Sequence, residues 1–239
     1  MDQTLTIRHL LEAGLHFGHH SRRWNPKMKP FIFGKRNGIF IIDLERTLER
    51  LRTAYDAVRS VTESGRDILF VGTKQQARPI IEEEAQRCGS FHVTIRWIGG
   101  LLTNFEIVST RIARLSELER ILADGRLTSS TKKEALQLQR EYRKLTKVFA
   151  GLKQMDRLPG AVFVVDPVRE ATAVAEARRV KIPVIALIDT NGDPDVVDYP
   201  IPGNDDALRS IRLVSSTIAN AVMEGHKQFE TDAREEDKQ

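Results

Sequence analysis

The residues best suited to chemistry lie between positions 16 and 38, where cations alternate with aromatic rings and no acidic residue intervenes. Lysine and arginine neutralise phosphates and release counterions, and aromatic faces stack on bases. This composition favours a surface that binds nucleic acid, although a basic loop that only keeps a protein soluble uses the same residue types. The candidate nucleic-acid contacts in this stretch are Arg22, Arg23, Trp24, Lys27, Lys29, Lys35 and Arg36.

The aromatic residues of this stretch have more than one possible role. Trp24 either packs against a nucleotide or fills the junction between a loop and the core. Phe31 and Phe33 are expected to belong to the core. Outside the stretch, Arg96 and Trp97 precede a double glycine and allow the same two interpretations, with packing favoured for Trp97.

Histidines in this stretch and aspartates near the C-terminus form a candidate metal site. His16, His19 and His20 share one loop, and Asp189, Asp205 and Asp206 could approach them if that loop crosses the carboxyl edge of a sheet. Imidazole with carboxylate suits zinc or a similar divalent ion, and the candidate ligands are His19, Asp189 and Asp205. The spacing of the histidines matches no standard zinc motif. Histidines beside arginines could equally bind phosphate, and acids in the first turn of a helix are favoured by its dipole. No cofactor is required, and a divalent ion remains an alternative.

An enzyme is the competing class of function. The turn Gly72-Thr73-Lys74 could bind phosphate through its amides and lysine, and Asp166 and Asp189 each follow a predicted strand. The nucleotide-binding motifs and the nucleophile elbow are absent from the sequence, and both aspartates are explained as caps and turn formers. A nucleotide- or sugar-phosphate-binding enzyme is therefore the alternative, and a non-enzymatic role is favoured.

Charge is distributed unevenly along the 239 residues, whose formal net charge is +4. Residues 8–36 hold seven Lys or Arg and one acid, whereas the tail from Glu224 holds six acids and three bases. A local basic surplus is expected where one part of a surface touches nucleic acid. The single cysteine excludes an internal disulfide, and no apolar run could span a bilayer. With no signal peptide or transit leader apparent, we expect a soluble intracellular protein without membrane or homo-oligomeric partners.

Short apolar runs alternate with amphipathic helical patterns, which predicts an α/β protein with a parallel, doubly wound sheet. Pro79 predicts a kink or a later helix start. The last helix is expected from Asn204 to about Glu224, with Gly225 as its terminator. The predicted strands are a hairpin pair within 31–42, then 68–71, 93–97, 161–165 and 183–188.

A helical segment interrupts this alternation between residues 104 and 158. Two capping-box patterns each precede apolar residues at seven-residue spacing, which predicts an antiparallel coiled-coil hairpin joined by a loop at 125–130. Residues 106–158 contain twelve Lys or Arg and seven acids, which is a second basic excess. Two ordinary solvated helices are the other interpretation. Candidate nucleic-acid contacts on these helices are Arg111, Arg114, Lys132 and Lys133.

Several long motifs occur in an order that resembles a known family. They are the stretch AGLHFGHHSRRWNPKMKPFIFGKRNGIFIIDLERT, then ILFVGTK, RWIGGLLTNF, PGAVFVVDP, IPVIALIDTNGDP and DYPIPGNDDA. Together they resemble the bacterial and organellar form of the ribosomal protein S-two family, over nearly the whole chain. The strand-end motif Asp166-Pro167-Val168-Arg169-Glu170 lacks the histidine that many members carry.

The resemblance implies a flavodoxin-like sandwich with a protruding coiled-coil hairpin and no catalytic role. It implies small-subunit ribosomal RNA as the polyanion, and neighbouring proteins that include the large messenger-binding ribosomal protein. The expected location is cytoplasmic, in the small ribosomal subunit, with an organellar ribosome as the other possibility. The domain prediction assigns residues 1–103 and 159–225 to the sandwich, 104–158 to the hairpin and 226–239 to a flexible acidic tail.

Overall fold

A short helix and a small antiparallel sheet form the N-terminal part of the fold. The computed structural model describes residues 5–123 and 132–236. Helix α1 (Ile7–Glu12) ends before Gly14, which adopts a positive φ of 78°. Three strands then form a sheet in the order β1-β3-β2, with a register shift in each of its two pairings. They are β1 (Phe17–His20), β2 (Ile32–Arg36) and β3 (Ile39–Ile42).

The centre of the protein is a parallel sheet of five strands, and each strand contributes buried residues to the core. Its strands are β4 (Ile68–Val71), β5 (Phe91–Val93), β6 (Ala161–Val165), β7 (Val184–Ile188) and β8 (Tyr199–Pro202). Their spatial order is β5-β4-β6-β7-β8, which is the flavodoxin-like order with its switch point between β4 and β6. The predicted doubly wound α/β fold is confirmed.

Helices cover both faces of this sheet because alternate strand residues point in opposite directions. Phe70 and Phe163 face one core with α2 (Leu44–Glu63), α3 (Arg78–Arg87) and α7 (Leu208–Glu236), whereas Leu69 and Val164 face the other core with α6 (Ala171–Arg179). In the order of the chain, α4 (Phe105–Ala123) and α5 (Lys132–Phe149) lie between β5 and β6 and pack on this second side.

The two inserted helices contact each other. Arg114 of α4 donates two hydrogen bonds to the carboxylate of Glu141 in α5, at 3.1 and 3.2 Å. Leu115 of α4 is fully buried, and Phe149 at the end of α5 is nearly so. The predicted loop at 125–130 lies outside the described residues, and the coiled-coil packing of the pair stays a prediction.

Several helix ends follow their local sequence signals. Asp43 caps α2 by accepting hydrogen bonds from the amides of Glu45 and Arg46. Pro79 lies in the first turn of α3, so the later helix start predicted from this proline is confirmed.

The C-terminal helix is longer than predicted. It continues through Gly225 to Glu236, so the described part of the predicted acidic tail is helical. A Cβ on Gly225 would collide with Thr62 of α2, which shows that this glycine permits two helices to pack closely rather than ending one.

Strand prediction erred where the local pattern is weak. The strand expected over residues 93–97 is instead Phe91–Val93, because the chain turns after it to reach the buried loop at Trp97. The sequence pattern does not predict strands β1 and β8, because β1 is rich in histidine and glycine and β8 contains two prolines. Proline suits β8 because it is an edge strand.

Candidate nucleic-acid interface

Residues 16–38, here called the basic stretch, form a surface layer held down by apolar side chains. Asn25 accepts a hydrogen bond from the amide of Lys27 at 3.0 Å and begins a 3-10 helix over Pro26–Phe31. Met28 of that helix is fully buried and Phe31 nearly so, both against Ile188 of β7. The amide of Asn25 also donates to the carbonyl of Thr190 at 2.8 Å. The layer is therefore attached to the carboxyl edge of the central sheet.

The β2–β3 hairpin presents a second part of the basic stretch. Asn37 and Gly38 both have positive φ, at 50° and 81°, which matches a two-residue turn and places Lys35 and Arg36 at the tip. Within the described part of the chain, no side chain pairs with five exposed cations of the basic stretch. These are Arg22, Arg23, Lys29, Lys35 and Arg36.

Two predicted contacts of the basic stretch have partners inside the protein. Lys27 donates to Asp193 at 2.7 Å and lies 2.8 Å from Asp195, and these carboxylates raise the pKa of its ammonium group. Trp24 is half-buried and its ring centroid lies 4.9 Å from that of Phe40. The structure thus places Trp24 where it anchors the loop to β3.

The two phenylalanines expected in the core separate. Phe31 is buried, whereas Phe33 is 79% exposed, so the prediction for Phe33 is wrong. The cause is the bulge in β2, where Ile32 pairs with Ile42 and Gly34 with Ile41, leaving Phe33 without a cross-strand partner. An exposed ring beside Lys35 adds an apolar face to the basic surface.

The phosphate-binding turn of the enzyme hypothesis lies at the switch point of the sheet, where such folds bind ligands. Its donors are taken by carboxylates of the same chain. The amide and hydroxyl of Thr73 donate to buried Glu170 at 2.9 and 2.6 Å. The ammonium group of Lys74 lies 2.6 Å from both Asp205 and Asp206 and 3.3 Å from Asp166.

Lys74 and these carboxylates form a half-buried charged cluster. Burial opposes the charge of Lys74, but Asp205 and its neighbours outweigh it and raise the pKa of the ammonium group. Burial, followed by the negative charges of Asp166 and Asp189, raises the pKa of Asp205 to about 7. Lys74 therefore acts as an internal counterion for these carboxylates. This role cannot be predicted from the sequence, because the carboxylates are far from Lys74 along the chain.

His19 connects this cluster to the basic stretch. Its Nδ1 lies 2.9 Å from Asp189 and its Nε2 lies 3.6 Å from Asp206. The hydrogen bond with Asp189 is the largest cause of a raised pKa for the imidazole. Of the predicted metal ligands, His19 and Asp205 come together with Asp206, and one ligand atom from each of the three lies within 4.8 Å of the others. Asp189, the third predicted ligand, contacts Nδ1 of His19.

The loop before α4 is organised by one buried carboxylate. Glu176 of α6 accepts hydrogen bonds from the indole of Trp97 at 3.1 Å, from the amide of Gly100 at 2.8 Å and from the amide of Leu102 at 3.0 Å. Burial favours the neutral acid, but these donors outweigh it and hold the pKa of Glu176 below its usual value. Trp97 is buried and packs in the core, whereas its neighbour Arg96 is exposed.

The predicted contacts on the inserted helices differ in availability. Arg114 is engaged by Glu141 and, at 2.8 Å, by Glu117, which leaves few free donors. Arg111 and Lys133 are exposed. Lys132 begins α5, and its side chain lies outside the described residues.

Comparison with known proteins decides which family has these features. The model of the family described as Ribosomal protein S2 matches residues 10–225 of this chain. The chain belongs to the ribosomal protein S2 family. It is 55% identical over 236 residues to small ribosomal subunit protein uS2 of Syntrophobacter fumaroxidans, which covers 98% of this chain and 86% of that protein. The relative of the same name from Geotalea uraniireducens is 55% identical over 221 residues, with 92% and 86% covered.

The ribosomal protein S2 family is structural and non-enzymatic. The occupied switch point gives a physical reason for this, since Thr73 and Lys74 already bind carboxylates of the same molecule. Among the described residues, no helix has both the length and the apolar character needed to cross a membrane.

Proposed function

We propose that the protein is a structural component of the small ribosomal subunit, where the basic stretch binds ribosomal RNA. The observation that carries this proposal is the group of five exposed cations that no described side chain neutralises. The segment that carries Lys29 is attached to the central sheet, because Met28 and Phe31 are buried against Ile188. Such a surface can exchange counterions for phosphates without first breaking internal ion pairs.

We expect this surface to recognise folded RNA by the shape of the RNA backbone. The cations lie on a loop and a hairpin tip rather than along one helix, so they can follow phosphates that are not in a straight line. The exposed ring of Phe33 can stack on an unpaired base beside them. Steep salt dependence is the expected signature of this mode of binding.

The proposed protein partners are neighbouring small-subunit proteins, including the large messenger-binding one, which this chain would help to recruit. That part rests on the family resemblance. The proposed location is the small ribosomal subunit in the cytoplasm.

Co-sedimentation tests the proposed function. Purified full-length protein is mixed at low salt with small subunits that lack it, and pellets are compared with those of a variant carrying Arg22→Gln and Arg23→Gln. Wild-type protein is expected in the subunit fraction at one copy per particle, with less of the variant. Failure of the wild type to sediment with subunits at low salt would refute the proposal.

A divalent ion at His19 is a second proposed function, favoured by the atoms that Lys74 leaves unused. Lys74 contacts Oδ1 of both Asp205 and Asp206. Oδ2 of Asp205 is buried and has no hydrogen-bond partner in the described residues, and Oδ2 of Asp206 faces Nε2 of His19. Asp189 on Nδ1 would orient the ring, an arrangement typical of histidine ligands to zinc.

Metal analysis tests this second proposal. The protein is stripped with a chelator, incubated with zinc and desalted, and its metal content is measured beside those of His19→Ala and His20→Ala. About one ion per chain is expected for the wild type and His20→Ala, and a loss is expected for His19→Ala. Wild-type protein without a stoichiometric ion would exclude the site.

A further inference from the structure

A groove of about 530 Å³ lies between the loop at Trp97 and the inserted helices. One wall is the segment from Arg96 to Gly99, which Glu176 holds in place from behind. The other wall comes from α4 and α5, including Arg111, Lys144 and Leu145. The volume is within the range of pockets that bind ligands or side chains.

The rim of the groove has a net positive charge. Arg96 and Lys144 are exposed, and no side chain among the described residues pairs with either. The carboxylate of Glu141 accepts hydrogen bonds from Arg114. Arg111 acts on Glu141 only through its positive charge, which helps to lower the pKa of that carboxylate. Three cations therefore face one acid that is already neutralised.

The interior of the groove is aliphatic. Ile98, Leu145 and Val148 are each half-buried along its wall. The two aromatic residues present, Trp97 and Phe149, are only 8% and 6% exposed, so neither offers a free face. Bases bind by stacking on aromatic faces and by hydrogen bonds to their edges, whereas this wall suits an apolar side chain.

We propose that this groove binds an acidic segment of a neighbouring small-subunit protein, with one bulky apolar side chain inserted between the walls. The cations of the rim would pair with carboxylates on either side of that side chain, which gives charge complementarity around an apolar anchor. This assigns Arg96 and Arg111 to a protein partner instead of RNA. The inference rests on the proposed function, because the partner is a component of the subunit.

Two glycines make a matched pair of probe positions. A Cβ on Gly99, at the lip of the groove, meets no atom within 4 Å, and the same holds for Gly34 in the basic stretch. Neither glycine has a positive φ. The native thiol of Cys88 is buried, and burial raises its pKa. Gly99→Cys and Gly34→Cys can therefore each be labelled selectively with a benzophenone maleimide.

The experiment irradiates purified small subunits that contain one or the other labelled full-length protein. The adducts are tested with ribonuclease and protease and then sequenced by mass spectrometry. From Gly99→Cys we expect a protein adduct on a segment with at least two acidic residues near an apolar one, and from Gly34→Cys an RNA adduct. Adding Lys144→Glu to Gly99→Cys is expected to lower the adduct yield about fivefold.

The outcomes separate the two proposals. An RNA adduct, no adduct, or a protein segment without acids at position 99 overturns the groove inference, provided that the position 34 probe reacts with RNA. An unchanged yield with Lys144→Glu overturns it as well. Failure of both labelled proteins to enter the subunit overturns the proposed function itself, and the groove inference with it.

Discussion

Lys74 and the cations of the basic stretch have the same chemistry but opposite surroundings. Lys74 is surrounded by Asp166, Asp205 and Asp206 and is only 12% exposed at its side chain. Lys35 lies at a hairpin tip with no pairing side chain among the described residues. A cation near a strand end is therefore structural when acids from remote segments reach it, and it is available for a ligand when none do.

The sequence does not reveal which of these cations is paired, because the pairing acids are distant along the chain. Asp205 is 131 residues from Lys74 and becomes its neighbour only because α7 begins at the carboxyl edge of the sheet. Lys27 shows the intermediate case, since it belongs to the basic stretch and yet pairs with Asp193 and Asp195.

The largest stability effect is expected at Lys74. Lys74→Met leaves Asp205 buried beside other carboxylates without a counterion and should lower the free energy of unfolding by about 3 kcal/mol. Urea unfolding at pH 7 measures it. The matched control Lys35→Met removes an exposed, unpaired cation and should change stability by less than about 0.5 kcal/mol. Equal effects for the two variants would contradict the contrast between the two regions.

Glu176→Gln should have the next largest effect. The substitution removes the charge that accepts from Trp97, Gly100 and Leu102, so we expect a loss of roughly 2 kcal/mol at pH 7. Because the folded-state pKa of Glu176 lies below its ordinary value of 4.5, its contribution is present above about pH 4.5 and is lost as the pH falls through the folded pKa. The difference between wild type and variant should therefore shrink below pH 4.5, as urea unfolding across pH would reveal.

Arg114 is paired but more exposed, and its effect should be the smallest of the three. Arg114→Ala removes two hydrogen bonds to Glu141 that link α4 and α5, and solvent screening limits the expected loss to about 1 kcal/mol or less. Arg111→Ala, without such a pair, should be nearly neutral. Thermal unfolding of both variants checks this order, and a larger loss for Arg111→Ala would reverse it.

Local signals predicted much of the fold. The strands at Ile68–Val71 and Ala161–Val165 follow from short apolar runs, and the later start of α3 follows from Pro79. Gly225 and Phe33 could not be predicted correctly, because a helix crossing decides the role of the first and a bulge the exposure of the second.

The site was only partly predictable for the same reason. Residue types identified the cations of the basic stretch and the proximity of His19 to Asp205. Glu176 gave no sequence signal, since its donors lie on a loop more than 70 residues away. Asp206 is among the aspartates that the sequence places near the histidines, but only the fold shows that it lies closer to Asp205 and His19 Nε2 than Asp189 does.

The proposal that the exposed cations of the basic stretch contact phosphates can be tested by the salt dependence of binding to small-subunit ribosomal RNA. The slope of log K against log salt is measured for the wild type, for Arg22→Gln with Arg23→Gln, and for Lys27→Gln. The double variant should flatten the slope by about 2 units, whereas Lys27→Gln, whose cation already pairs with Asp193 and Asp195, should change it by less than about 0.3. A flat wild-type slope, or equal flattening per cation in both variants, would contradict the account.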